Sequence, residues 1–110
     1  MITWEWDLDA GRFRSSGTAS DVLGSRRGEP RNFDERVHPD DRERHRAALS
    51  RTISAGEPYF AEFRFIRPDG RVIWLRDTAA FEHNAEGRRI LKGTTIDVTA
   101  LKTEAPLPAV

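Results

Sequence analysis

Between Tyr59 and Lys102 the chain carries three runs rich in β-branched and aromatic residues, separated by Pro68-Asp69-Gly70 and by Asn84-Ala85-Glu86-Gly87. Pro, Asn, Asp and Gly supply the backbone angles of tight turns, so short connections of this kind between alternating runs predict antiparallel hairpins. The stretch therefore reads as a three-stranded meander. Side chains alternate across a strand. In the first run Tyr59, Ala61, Phe63 and Phe65 share one face, while Phe60, Glu62, Arg64 and Ile66 share the other. The first face is apolar and has to be covered. The second mixes charge with bulk.

The N-terminal residues repeat the pattern on a smaller scale. Trp4, Trp6 and Leu8 fall on one face of a short run, Thr3, Glu5 and Asp7 on the other. Asp9-Ala10-Gly11 is a turn, and Arg12 to Ser15 is a second strand, completing a hairpin. Ser16 to Ser25 is polar and ends in Val22-Leu23-Gly24, which predicts one or two helical turns closed by glycine. Residues 26–31 (RRGEPR) read as a loop. Asn32 to Val37 suits a single turn capped by Asn32, with Glu35 placed as in a capping box.

His38-Pro39-Asp40-Asp41 opens one long helix, which runs to about Ala55 and stops at Gly56. Proline suits a first helical turn, and aspartates there oppose the helix dipole. His45, Ala48, Leu49, Thr52 and Ile53 form one stripe, as on an amphipathic helix laid on a sheet. The order of elements predicts an α+β fold with one five-stranded antiparallel sheet. The first hairpin pairs with the end of the meander, and the helices cover one face. Residues 1–102 form the domain. The tail 103–110, with two prolines and no periodicity, reads as a linker.

Composition removes several function classes. The 18 basic and 18 acidic residues cancel, which argues against general affinity for nucleic acid or an anionic membrane surface. There is no cysteine, so disulfides, thiolate metal sites, cysteine catalysis and cysteinyl-flavin photochemistry are excluded. No apolar run approaches the roughly 18 residues of a membrane helix, and Met1-Ile2-Thr3 lacks the plan of a signal peptide. The expectation is a soluble cytoplasmic domain. No serine sits in a nucleophile-elbow setting and no glycine-rich loop is placed to cradle phosphate.

Taken in order, several short pieces resemble the PAS family, in the subtype whose second half is called the PAC motif. They are Trp4-Glu5-Trp6-Asp7, Leu23-Gly24, Val37-His38-Pro39-Asp40-Asp41-Arg42, Glu62-Phe63-Arg64, Pro68-Asp69-Gly70 with Ile73-Trp74-Leu75, Gly93, and Ile96-Asp97-Val98-Thr99. The resemblance spans residues 3 to 102. It departs at the exit, where Ala100-Leu101-Lys102 stands in place of the usual charged pair and lysine. The resemblance implies a non-enzymatic sensory or interaction module of a multidomain signalling protein, such as a histidine kinase or a cyclic-di-nucleotide enzyme. It implies a sheet that cups a small ligand under helices, dimerisation, and a signal passed to an effector domain through the C-terminal exit.

Four sets of residues follow as candidates. Phe63, Phe65, Ile73 and Leu75, with Leu49 and Ile53 from the long helix, are expected to line a small-molecule pocket. The alternative is that they simply fill the core, leaving a dimerisation and relay module without ligand. His45 is the candidate cofactor ligand. Arg42-Glu43-Arg44-His45, followed by Leu49 and Gly56-Glu57, is similar to the proximal-histidine helix of oxygen-sensing haem PAS domains. The alternative is a histidine bonded to backbone or water. His38 and Asp41 join His45 as a metal set only on paper, because the Pro39 entry disturbs their spacing; His83 is expected at the surface. At the exit, Asp97 and Thr99 are expected to act with Arg64 or Arg76 as the partner of Asp97, the alternative being a local turn or cap. Trp4, Phe60, Ile66 and Trp74 are expected to form the outer face of a homodimer.

Overall fold

The computed structural model describes residues 1–16, 23–24 and 30–103. Strands β1 (Ile2–Asp7) and β2 (Arg12–Ser15) form the first hairpin. Helices α1 (Pro30–Arg36) and α2 (Pro39–Ala55) follow, then strands β3 (Tyr59–Ile66), β4 (Val72–His83) and β5 (Arg89–Asp97), and a short exit helix α3 (Thr99–Thr103). The sheet has the order β2-β1-β5-β4-β3 and every neighbouring pair is antiparallel. The first hairpin thus joins the last strand of the meander, as expected.

Register decides which side chains share a face. Phe63 lies opposite Leu75, and Phe65 opposite Ile73. All four are buried, together with Ile2, Tyr59, Ala61, Ala79 and Leu91 on the same inner face. Trp4 lies opposite Gly93. A Cβ at Gly93 would collide with the Trp4 ring and stand 2.6 Å from the Thr78 carbonyl oxygen. Glycine is needed there because the indole occupies the space a side chain would take.

Helix α2 lies over this face. The His38 Nδ1 accepts the Asp40 backbone N–H at 3.2 Å, and Pro39 begins the helix. Gly56 ends it in the left-handed conformation (φ 71°), donating its N–H to Thr52 O at 2.9 Å. Val37 forms a bridge to Phe65, and His38 N donates to Arg64 O at 2.8 Å, so the junction between α1 and α2 is stitched to β3.

Two local expectations need correction. α1 begins at Pro30, so Asn32 lies inside the helix instead of capping it, and the loop expected through Arg31 ends earlier. Proline has no N–H to leave unpaired, and its fixed φ suits the first helical position. Most of the Ser16–Ser25 expectation, the loop at 25–29 and the tail from 104 lie outside the described residues. Within them, Leu23 is buried and Gly24 has φ 75°, the geometry of a glycine stop.

Candidate functional site

The inner face has a filled half and a half with a little room. In the filled half Phe33 of α1 stacks on Phe65 (centroids 5.0 Å apart) and meets Phe63 edge-on at 5.6 Å. Phe63 and Leu75 have no exposure. Beside them lies a cavity of about 20 Å³, lined by Trp4, Trp6, Phe13, Phe33, His45, Leu49 and Tyr59. That is room for about one water. Of the six expected pocket residues, Leu49 lines this cavity. Phe63, Phe65, Ile73 and Leu75 belong to the packed half, and Ile53 is half-buried on α2.

Two walls of the cavity are held by a buried polar chain that the sequence reading missed. Asp77 of β4 and Thr95 of β5 face each other in register and are fully buried. Asp77 accepts from the Thr95 hydroxyl at 2.5 Å and from the Tyr59 hydroxyl at 3.3 Å. The Trp4 indole N–H donates to Thr95 Oγ1 at 3.1 Å. Burying a carboxylate is costly unless donors meet it; Thr95 and Tyr59 each donate to one of its oxygens, and Trp4 extends the chain through Thr95. The available signal was the alternation of β4, which places Asp77 between Leu75 and Ala79 on the apolar face.

His45 is buried among rings. Its imidazole lies 4.6 Å from the Phe63 centroid, with Phe33 and Tyr59 at 6.1 and 6.3 Å. Its Nδ1 is 3.4 Å from Asp34 Oδ1, and the other oxygen of Asp34 accepts from Arg46 Nε and Nη2 at 2.8 and 2.6 Å. The Arg46 bonds tie α2 to α1, and His45 lies against the same carboxylate. A haem bound through His45 needs a broad slot over the imidazole. The described residues leave only the small cavity there, and as packed they do not fit a haem. The metal set fails too: His38 caps α2, Asp41 is bound by Arg64, and the described residues hold no cluster of metal-ligating side chains. His83 is exposed.

At the exit, Asp97 pairs locally. Its Oδ1 accepts from the backbone N–H of Thr99 at 2.9 Å and from the Thr99 hydroxyl at 2.5 Å. Thr99 Oγ1 in turn accepts the Trp74 N–H at 2.9 Å, and Val98 N donates to Trp74 O at 2.9 Å. The expected pairing of Asp97 with Arg64 or Arg76 does not form. Asp97 lies opposite Leu75, at an inner-face position, whereas both arginines project outward. Arg64 instead grips Asp41 through Nε at 3.0 Å, Nη2 at 2.9 Å and its backbone N–H at 2.8 Å. Hydrogen bonds from the Arg64 side chain, outweighing burial, hold the Asp41 carboxyl down at about 2. Arg76 Nε binds Glu62 Oε2 at 2.7 Å.

The expected outer face also changes membership. Trp4 points inward, because Gly93 opposite it opens the space on that side. Phe60 is 58% exposed, Ile66 and Trp74 are half-buried, and Val72 and Ile96 are exposed beside them. Arg64 and Lys102 lie over the Trp74 ring, at 5.6 and 5.1 Å from its centroid.

Comparison with known proteins adds three findings. A family model described as PAS fold matches residues 13–95. The sensor protein FixL of Bradyrhizobium diazoefficiens is 31% identical over 100 residues, covering 87% of this chain and 20% of that protein, so the chain spans about a fifth of this relative's length. The solved structures similar to this chain include the following two. The N-terminal domain of a diguanylate cyclase with PAS/PAC sensor from Marinobacter aquaeolei has a TM-score of 0.82 at 22% identity, covering 92% of this chain and 97% of its own. A sensory box histidine kinase/response regulator from Burkholderia thailandensis has a TM-score of 0.73 at 27% identity, covering 92% and 79%. The first of these speaks to fold alone.

Proposed function

The chain belongs to the PAS-fold family, and we propose that it is a non-enzymatic sensory and relay domain of a larger signalling protein. In this reading the state of the ring-lined cavity passes through the sheet to an effector beyond α3. The observation that carries it is the double duty of β4. Inside, Asp77 anchors Tyr59 directly and Trp4 through Thr95, the two cavity walls. Three residues earlier, the backbone of Trp74 holds Thr99 and Val98 at the start of the exit helix. A shift of the cavity walls thus acts on the strand that carries the exit.

The chemistry of the site supports binding over catalysis. Asp77 is enclosed, and its two oxygens accept from Thr95 and Tyr59. His45 is enclosed by three aromatic rings and Asp34. Neither reaches a cleft where a substrate would react. The room beside His45 suits a very small ligand or a filled relay core, and it argues against haem. The same reading includes a homodimer through the outer face, supported by the exposure of Phe60, Val72 and Ile96.

Leu49→Phe tests the relay, because it enlarges a cavity wall without touching β4 or the exit. Overpacking of this kind costs about 1–3 kcal/mol, which leaves a folded domain for study. The expected result is a set of amide resonance shifts at Trp74, Val98 and Thr99 as well as around the cavity. Shifts confined to the inner face would refute the relay.

A further inference from the structure

Helix α3 has five residues, too few to persist on its own hydrogen bonds. Its first turn hangs on Trp74 through Thr99 and Val98. Among the described residues, the side chain that holds its last turn is Lys102, whose Nζ lies 3.1 Å from Glu62 Oε1 and 5.1 Å from the Trp74 ring centroid. Glu62 is preset for this contact because its other oxygen is occupied by Arg76. Hydrogen bonds from Arg76 and then Lys102 hold its carboxyl below the ordinary range. The Trp74 ring carries a second cation, Arg64, and that guanidinium is fixed by Asp41 in the first turn of α2. Asp41 stands one helical turn before His45, and both are buried. One ring is thus shared by a cation anchored to α2 and a cation carried by the exit helix.

We propose that Lys102 is a releasable latch for the exit helix, and that Trp74, shared with Arg64, couples the latch to the first turn of α2. The purpose of this coupling rests on the relay reading above; its existence does not. An exposed ion pair and an exposed cation–π contact are each weak, so the docked and released forms of α3 stay close in free energy. A displacement of α2 moves Asp41 and the Arg64 it grips. The Trp74 ring then loses one of its two cations, and the platform under Lys102 changes.

Amide exchange of the whole chain, read by NMR at Leu101 and Lys102, tests the latch, since both amides bond to the Val98 carbonyl. Lys102→Met keeps an apolar stem over Trp74 and removes the charge. Protection at these two amides is expected to fall about five- to tenfold, the value of one exposed ion pair with one cation–π contact, while Phe63 and Leu75 exchange as before. Glu62→Gln should have a similar effect and add little on top of Lys102→Met. Arg64→Lys keeps the charge but loses the planar two-pronged grip on Asp41, and should lower protection at the same amides about two- to threefold. Asp9→Asn, which breaks a distant surface pair with Arg89, should leave them unchanged. Unchanged protection in Lys102→Met overturns the latch, even where Leu49→Phe still moves Val98 and Thr99; the relay would then run through the β4 backbone alone. Lost protection in Lys102→Met with none in Arg64→Lys overturns the coupling to α2.

Discussion

On the inner face of the sheet Phe63 and Leu75 pair in register under Phe33 and His45, with no exposure. On the outer face, one residue along each strand, Arg64 and Trp74 pair in register in partial contact with water. The same two strands thus hold two kinds of surface. Inside, burial of rings dominates and the polar atoms of Asp77, Thr95 and Trp4 are matched to one another. Outside, the contacts are ion pairs and cations over a ring, each weak and open to salt. A close-packed interior changes by switching between discrete arrangements, whereas a charged surface is adjusted contact by contact. The proposed sensory role draws on both properties, and this fold places them on opposite sides of one strand pair.

The sharpest break between the faces is a pair of truncations on β3. Phe63→Ala removes a ring enclosed by Phe33, His45 and Leu75, and should cost about 3–5 kcal/mol. Phe60→Ala, on the same strand but outward, should stay within about 0.5 kcal/mol. Urea midpoints of the two variants measure the contrast. Equal losses would mean that the outer face is covered as deeply as the inner one.

Acid sharpens the contrast in another way. The Asp41 carboxyl is depressed from its ordinary value to about 2. Its contribution is therefore complete above the unfolded value of about 4 and is lost as pH falls toward 2. Taken at face value a shift of this size is worth about 2 kcal/mol; with Arg64 partly exposed, screening brings it to about 1 kcal/mol. Asp41→Asn should lower stability at neutral pH and flatten this segment of the pH profile. A profile identical to that of the parent between pH 2 and 4 would remove the grip of Arg64 as a contributor.

How much of this was legible follows from how local each determinant is. The alternation of Tyr59 to Ile66 is written into adjacent residues, and the meander, its inner face and the α2 stripe came directly from such patterns. Trp4 shows the limit. Alternation puts Trp4 and Trp6 on one face but cannot say which, because that is decided by β5, where Gly93 makes room for the indole. Asp77 was readable in principle, since β4 alternates too, but a carboxylate on an apolar face is recognised only once Thr95 and Tyr59 are known to surround it. The arginine partners were not readable at all. Arg64 has Asp41 and Asp97 as equally plausible acids along the chain, and only the side of the sheet on which each lies decides between them. Candidate pocket residues divide the same way: their burial follows from pattern, but the position of the cavity depends on where Phe33 comes to rest.

The smallest expected effect concerns the outer face itself. Phe60, Ile66, Val72 and Ile96 are apolar there, but Glu62, Arg76 and Lys102 stand among them, already paired with one another. The patch is interrupted, and stable dimers bury about 800 Å² per partner in a more continuous surface. Two copies meeting through this face around a two-fold axis should therefore associate weakly. Ile66→Glu and Phe60→Glu each place a charge where the copies meet; at the exposed Phe60 the cost to folding is about 0.5 kcal/mol or less, as at other solvent-facing sites, and at the half-buried Ile66 it is larger. In sedimentation velocity the parent chain should sediment faster at high than at low micromolar concentration, and both variants should lose that dependence, Phe60→Glu while keeping the parent's urea midpoint. A parent that stays monomeric throughout the range would leave the outer face with α3 as its one partner, and would move any dimer contact to a surface other than the one carrying Phe60.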